Sequence, residues 1–297
     1  MRVSKSRPRI GCVVRTLNES EFLRRCISTI RSQTGFPDVD VVVVDSGSTD
    51  GTLDIARESA ATLLEIEGSD LGDFDYSRAL NLGIDRTPAD VIVILSAHTI
   101  PVDGEWLARM TRHFEDPDVV GVYGRQVPWP DAHWEEVLRI ARQFPDAGQR
   151  FEGACVQGMR FSNAASCIRR SAWEALPFSL PAGEDRHWAE CQVREGKSIV
   201  YEAEACAYHS HCESARRRAK RIVNLLRSED LRLGRTRTTG ASLRESLGML
   251  KRDLRTISGL EAGLVSRARY GLGSAAKALW FVYELARRPA RTSEEGE

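Results

Sequence analysis

The chain has 297 residues, 42% of them hydrophobic, and its 42 Lys+Arg balance 42 Asp+Glu, so its formal charge is zero. That suits one large domain with an appendage. No window reaches the ~18 uninterrupted apolar residues that a membrane span needs, and the basic N-terminal stretch leads into no long apolar run, so neither a span nor a signal peptide is expected.

The first half alternates strand and helix. "IGCVVR" (10–15) is a short apolar run. "ESEFLRRCISTIRSQ" (19–33) repeats Phe22, Leu23, Cys26, Ile27 and Ile30 at helical spacing. "VDVVVVD" (39–45) is β-branched and continuously apolar, which predicts a strand buried on both faces. A capped helix over 48–60, a strand over 61–67, a helix over 77–87 and a strand over 90–96 follow. Strands alternating with helices imply a parallel sheet, with ligands beyond the carboxyl ends of its strands.

Beyond residue 103 the pattern is mixed. It predicts a helix in "GEWLARMTRHFEDP", a strand in "VVGVYGRQVP", a loop over 145–158 and a short strand in "SNAASCIRR". A helix over 171–176, another opened by "GEDRHW", and a strand in "YEAEACAYHSH" complete this part. Residues 213–291 read as Arg-rich amphipathic helices, and 292–297 as a disordered tail.

The charge is divided unevenly. Residues 1–215 carry 23 Lys+Arg against 33 Asp+Glu, and residues 216–297 carry 19 against 9. The basic part could meet a membrane surface or a partner, or simply pack on the main domain; no nucleic-acid partner is expected. Seven cysteines without a CxxC pair argue against a disulfide framework or zinc finger and for a reducing, cytoplasmic compartment.

Three loops follow three of the parallel strands: "RTLNES" (15–20), "DSGSTDGT" (45–52) and "SAHTIP" (96–101). Asp45 ends a buried strand, where a carboxylate needs a partner; a nucleobase N–H or ribose hydroxyl would serve, and capping of the next helix is the simpler use of this loop. Glu184 and Asp185 open a helix whose N-terminus favours an ionised carboxylate, and ordinary capping by Asp185 is the alternative. His209 and His211, two apart on the expected strand, would face the same side.

"VVRTLNESEFLRRCISTIRSQ" followed by "VDVVVVDSGSTDGT" resembles the start of a family 2 glycosyltransferase. "FDYSRALNLGIDRTPADVIVILSAHTIPVDGEWL", "GEDRHW" and "AYHSH" continue the likeness, which covers roughly residues 8–212. The flavour is that of the rhamnosyltransferase-like branch of surface polysaccharide synthesis. The resemblance implies a GT-A fold, that is, a Rossmann-like mixed α/β sheet flanked by helices, with the basic helices as a C-terminal extension. It implies an inverting enzyme that moves a sugar from a nucleotide-sugar donor to a glycan, lipid-linked or small-molecule acceptor, in the cytoplasm or at the inner face of the membrane.

The resemblance also assigns roles. Thr16, Asn18 and Glu19 would line the nucleotide pocket, Asp45 would hold the base or ribose with Ser46 close by, and Arg78 with Asn81 would sit near the diphosphate. Asp185 would be the catalytic base, with Glu184 beside it. At the strand end the family carries a metal-binding aspartate, and here His98 stands in its place. Imidazole is a poor ligand for Mg²⁺ and a better one for softer ions, so His98 with His209 or His211 would hold a divalent cation, Mn²⁺ rather than Mg²⁺; otherwise His98 bonds the diphosphate directly. The missing aspartate also fits a non-catalytic sugar-nucleotide-binding protein, although such a protein has no need of the acidic pair. A dinucleotide-dependent oxidoreductase is excluded because no GxGxxG follows the first strand.

Overall fold

The structure is a computed structural model that describes residues 8–59, 61–66, 75–132 and 134–210, and single positions 223, 230 and 248. The chain divides into two compact units, Met1–His211 and Cys212–Glu297. The expected helices of 213–291 and the tail of 292–297 fall outside the described residues, those three positions apart.

The first unit is built on a nine-stranded mixed sheet. Four parallel strands form one half: β3 (Thr62–Glu65), β2 (Asp40–Asp45), β1 (Ile10–Thr16) and β4 (Val91–Ser96), in that spatial order. Next to β4 lies the antiparallel β8 (Ala165–Arg169), then β6 (Val119–Val127), which is antiparallel to β8 and parallel to β9 (Ser198–Tyr208). The outer flank of β9 is shared by β7 (Gln149–Phe151) and β5 (Ile100–Pro101).

The runs read as doubly buried strands behave so because their alternate side chains feed two cores. Cys12, Val14, Val41, Val43, Val93 and Leu95 face α1 (Leu23–Arg31), α2 (Thr52–Glu58) and α4 (Trp106–Thr111). Val13, Val42, Val44, Ile92 and Ile94 face α3 (Tyr76–Asp85), α6 (Arg170–Ala175) and α7 (Glu184–Arg194). With both faces covered there is no polar alternation to read. On α1 the buried set Leu23, Cys26, Ile27 and Ile30 is the expected stripe. Gly83 lets α3 approach closely: a Cβ there would stand 2.5 Å from Val13 and 2.8 Å from Val44.

Several expectations need correction. The segment read as a loop over 145–158 contains β7, whose residues pair with the first half of β9. Helix α5 (Trp134–Gln143) matches no expected element, and the end of the expected loop 96–101, Ile100–Pro101, is a two-residue edge strand, β5. Proline is tolerated there because an edge strand leaves one side of the backbone unpaired. The last strand begins at Ser198 and ends at Tyr208, so His209 lies just beyond it. The alternation argument for a same-side histidine pair therefore does not apply, and His211 falls outside the described residues.

Candidate active site

The register of the parallel strands sets the site. Thr16 pairs with Asp45 and Arg15 with Ser96, so the ends of β1, β2 and β4 form one rim. Arg15 and Thr16 are successive, so their side chains leave opposite faces of the sheet at that rim.

Two loops clasp each other beyond it. Asn18 has φ 56, a left-handed conformation that asparagine tolerates. Its N–H donates to Ser48 Oγ at 2.7 Å and its Oδ1 accepts from Thr49 N at 2.8 Å. The Glu19 N–H donates to Thr52 Oγ1 at 2.9 Å. Asp45, 1% exposed, accepts from Gly47 N at 2.9 Å, Ser48 N at 2.7 Å and Ser48 Oγ at 2.5 Å. Its carboxylate thus organises its own loop. The simpler use of the "DSGSTDGT" segment does involve Asp45, through an Asx-type turn rather than a helix cap. α2 is capped at Gly51, and the Thr52 N–H donates to Asp50 Oδ1 at 2.9 Å.

Along the rim, polar atoms are left without a partner among the described residues. Thr16 Oγ1, Ser46 Oγ, and Nε and Nη1 of Arg15 are buried without a hydrogen-bond partner. Buried polar groups are nearly always paired, so a cluster of such atoms at one rim marks a place made for a polar ligand. A cavity of about 250 Å³ lined by Arg31, Val39, Thr62 and Arg86 lies instead around the amino-terminal end of β2, away from this chemistry.

The turn after β4 and the end of β9 bring two imidazoles together. His98 Nδ1 donates to Glu19 Oε1 at 2.7 Å. The His98 ring stacks on His209, with centroids 5.0 Å apart and planes inclined by 15°. His209 is buried, and its Nδ1 donates to Gln126 Oε1 at 2.8 Å. The oxygen beside each Nδ1 fixes the orientation of the ring. Among the described residues, no three or more His, Cys, Asp or Glu side chains gather where they could hold a metal ion.

Across the site, α7 begins after Gly183, whose φ of 69 turns the chain sharply into the helix. Gly183 is the cap, and Asp185 lies within the first turn. Asp185 is half-buried and accepts from Asn163 N at 3.1 Å and from Arg186 N at 2.7 Å. Glu184 is 3% exposed; its Oε1 accepts from Asn163 Nδ2 at 3.3 Å and lies 4.0 Å from Arg15 Nη1. Burial, with the like charge of Asp185, pushes the Glu184 carboxyl up to about 8, against the pull of Arg15 and Asn163. Burial also raises Asp185, although its backbone hydrogen bonds favour the charged form. The helix N-terminus was expected to hold these carboxylates ionised; desolvation outweighs it and raises both carboxyls.

Two of the expected donor residues diverge. Arg78 is exposed on the first turn of α3, where its N–H donates to the capping carboxylate of Asp75 at 3.0 Å. Asn81 is a packing clamp: its Nδ2 donates to Phe178 O at 2.8 Å, and its Oδ1 accepts from Trp173 Nε1 at 2.8 Å and Phe178 N at 3.3 Å. Its amide is spent joining α3 to α6 and the segment after it, which replaces the diphosphate role expected for it. Arg15 and Asn163 were missed. Arg15 carried the same signal as Asp45, a charge closing an apolar strand, whereas nothing local marks Asn163.

The Glycosyl transferase family 2 model matches residues 12–174. The O-antigen chain rhamnosyltransferase RfbN of Salmonella typhimurium is 29% identical over 225 residues, 73% of this chain and 71% of that one. The glycosyltransferase AglE of Haloferax volcanii is 32% identical over 220 residues, 68% of this chain and 67% of that one. In fold, the chain is similar to the mannosyltransferase PcManGT from Pyrobaculum calidifontis, solved with GDP-Man and Mn²⁺. The TM-score is 0.62 at 18% identity, over 96% of this chain and 89% of that one.

Proposed function

From the premise that the chain belongs to glycosyl transferase family 2, whose members are inverting, nucleotide-sugar-dependent enzymes, we propose that it adds a deoxyhexose to a growing surface glycan, with Asp185 as the base. The observation that carries this reading is the pairing of an unsatisfied polar rim at the ends of β1 and β2 with two successive carboxyls at the start of α7, held by Asn163 and Arg186. The rim takes the donor, and the pair takes the acceptor proton. The acceptor oxygen bonds to the anomeric carbon as the bond from that carbon to the diphosphate breaks. The electron pair leaves with the nucleoside diphosphate, and the proton passes to Asp185. A binding protein would have no use for that pair. The deoxyhexose and the glycan follow the name of RfbN.

Thr16 and Ser46 offer hydroxyls to the nucleoside, and Asp45 shapes their loop. A divalent cation bound to the donor would neutralise charge on the diphosphate. His98 would offer it an imidazole nitrogen, a ligand type that favours Mn²⁺ over Mg²⁺, with the His209 ring stacked against it. The test is a panel of nucleotide sugars assayed for thermal stabilisation and for nucleoside diphosphate release, in Mn²⁺, in Mg²⁺ and in excess EDTA. One donor should stabilise the protein, by about 2.7 kcal/mol at a hundred times its Kd, and turn over fastest in Mn²⁺. Indifference to every donor would sink the reading. Full activity in EDTA would remove the metal and leave His98 bonding the diphosphate directly.

Among the described residues, no helix is long and apolar enough to cross a membrane. We place the enzyme in the cytoplasm at the inner membrane face, held by the basic segment 216–297. Flotation with anionic liposomes should show binding that salt reverses; no salt-sensitive association would assign the segment a purely structural part.

A further inference from the structure

We propose that Arg15 is the phosphate-binding cation of the donor site, its unspent nitrogens taking an oxygen of the nucleoside diphosphate. The inference rests on the reading above that the rim holds a nucleotide sugar, and it names the residue that meets the leaving group. Arg15 is the penultimate residue of β1, with its side chain 14% exposed. Its guanidinium lies over the Tyr76 ring, 4.4 Å from the centroid. Nη2 reaches Ser96 Oγ at a long 3.4 Å. Nε and Nη1 are buried without a hydrogen-bond partner.

A guanidinium stays charged at any ordinary pH, so burial cannot be relieved by loss of its proton. Its cost is met only by an anion at hydrogen-bond distance. Among the described residues, the carboxylate oxygen that comes nearest is on Glu184, 4.0 Å away and beyond that reach. The Tyr76 ring and the Ser96 hydroxyl steer the group without neutralising it. What is missing is an anion, in the same rim as the orphaned hydroxyls of Thr16 and Ser46. A diphosphate fits in charge and in donor geometry. Ser96 also opens the turn that carries His98, so a phosphate bound by Arg15 lies toward the imidazole pair. With Nη1 toward Glu184, the cation stands between the leaving group and the acidic pair. There it stabilises the negative charge that develops on the diphosphate as its bond to the sugar breaks.

The experiment is calorimetric titration of the full chain, in Mn²⁺, with UDP, GDP, CDP, ADP and dTDP and with the matching nucleosides. Wild type should bind one diphosphate well and its nucleoside weakly. Arg15→Met should weaken the diphosphate by roughly 10–100-fold, the size of a lost charge-assisted hydrogen bond, while nucleoside binding stays within about 2-fold of wild type. Arg15→Lys, which keeps the charge without the planar fork, should fall between; it serves as the reading variant should Arg15→Met fail to fold. Equal diphosphate binding by wild type and variant overturns the proposal. So does a parallel loss of nucleoside and diphosphate, which would make Arg15 a residue that only shapes the pocket. If wild type binds none of the diphosphates, it is the donor reading that fails.

Discussion

Asp185→Asn should retain nucleoside diphosphate binding and lose glycosyl transfer by roughly 10²–10⁴-fold, the usual share of a general base. The substitution is nearly isosteric, and its amide oxygen can still accept one of the N–H groups that Asn163 and Arg186 present. What disappears is the proton acceptor. Of the two carboxylates, Asp185 is the reachable one: it is half-buried, whereas Glu184 is 3% exposed and turned toward Arg15 and Asn163. The backbone donors on Asp185 favour its ionised form, whereas deeper burial favours the neutral form of Glu184. The measurement is kcat beside diphosphate affinity. Near-normal kcat in Asp185→Asn would transfer the role to Glu184, whose carboxyl falls in pKa once the neighbouring charge is gone.

Glu184→Gln should remove most of a pH dependence of stability. In the folded protein Glu184 titrates at about 8, against 4.5 for an unperturbed glutamate. Between those values the folded state holds a proton that the unfolded chain has released, so stability is complete below pH 4.5 and is lost as pH rises through 8. The loss is on the order of 2–5 kcal/mol, allowing for coupling to Asp185 and Arg15. Glutamine does not titrate. The Tm of the variant should stay nearly level from acid to mildly alkaline pH and exceed that of the wild type at the alkaline end, by several degrees at roughly 2–4 °C per kcal/mol. Parallel Tm curves for the two proteins would show that Glu184 is ionised at neutrality.

The parallel half of the sheet was legible because it is local. Four consecutive valines at 41–44, buried on both faces, admit little but an inner strand, and the Leu23–Ile30 stripe admits little but a helix against it. The loops after β1, β2 and β4 were legible as a site for the same reason: a charged or small polar residue closing an apolar run is visible in one dimension. Motif order named the family, and the family model agrees with it. The edge of the sheet was not legible. β7 has three residues and β5 two, and each exists only because β9 offers an unpaired flank.

Within the site, residue types were set by the sequence and their roles by tertiary contact. Asn81 sits in a helix that the motif assigns to the donor, yet Trp173 and Phe178 claim its amide. His98 was paired on paper with a strand-borne HxH. It meets His209 because β9 ends one residue earlier and delivers that ring onto the turn after β4. The acidic pair was readable from "GEDRHW", but its ionisation was not. A helix N-terminus is a sequence-local charge effect, whereas desolvation under Asn163 and the pull of Arg15 come from residues far along the chain. Sequence alone determined which chemistry this protein carries. Only the packed structure decided which carboxylate keeps the proton and which cation is left in need of an anion, because both depend on burial by residues distant in the chain.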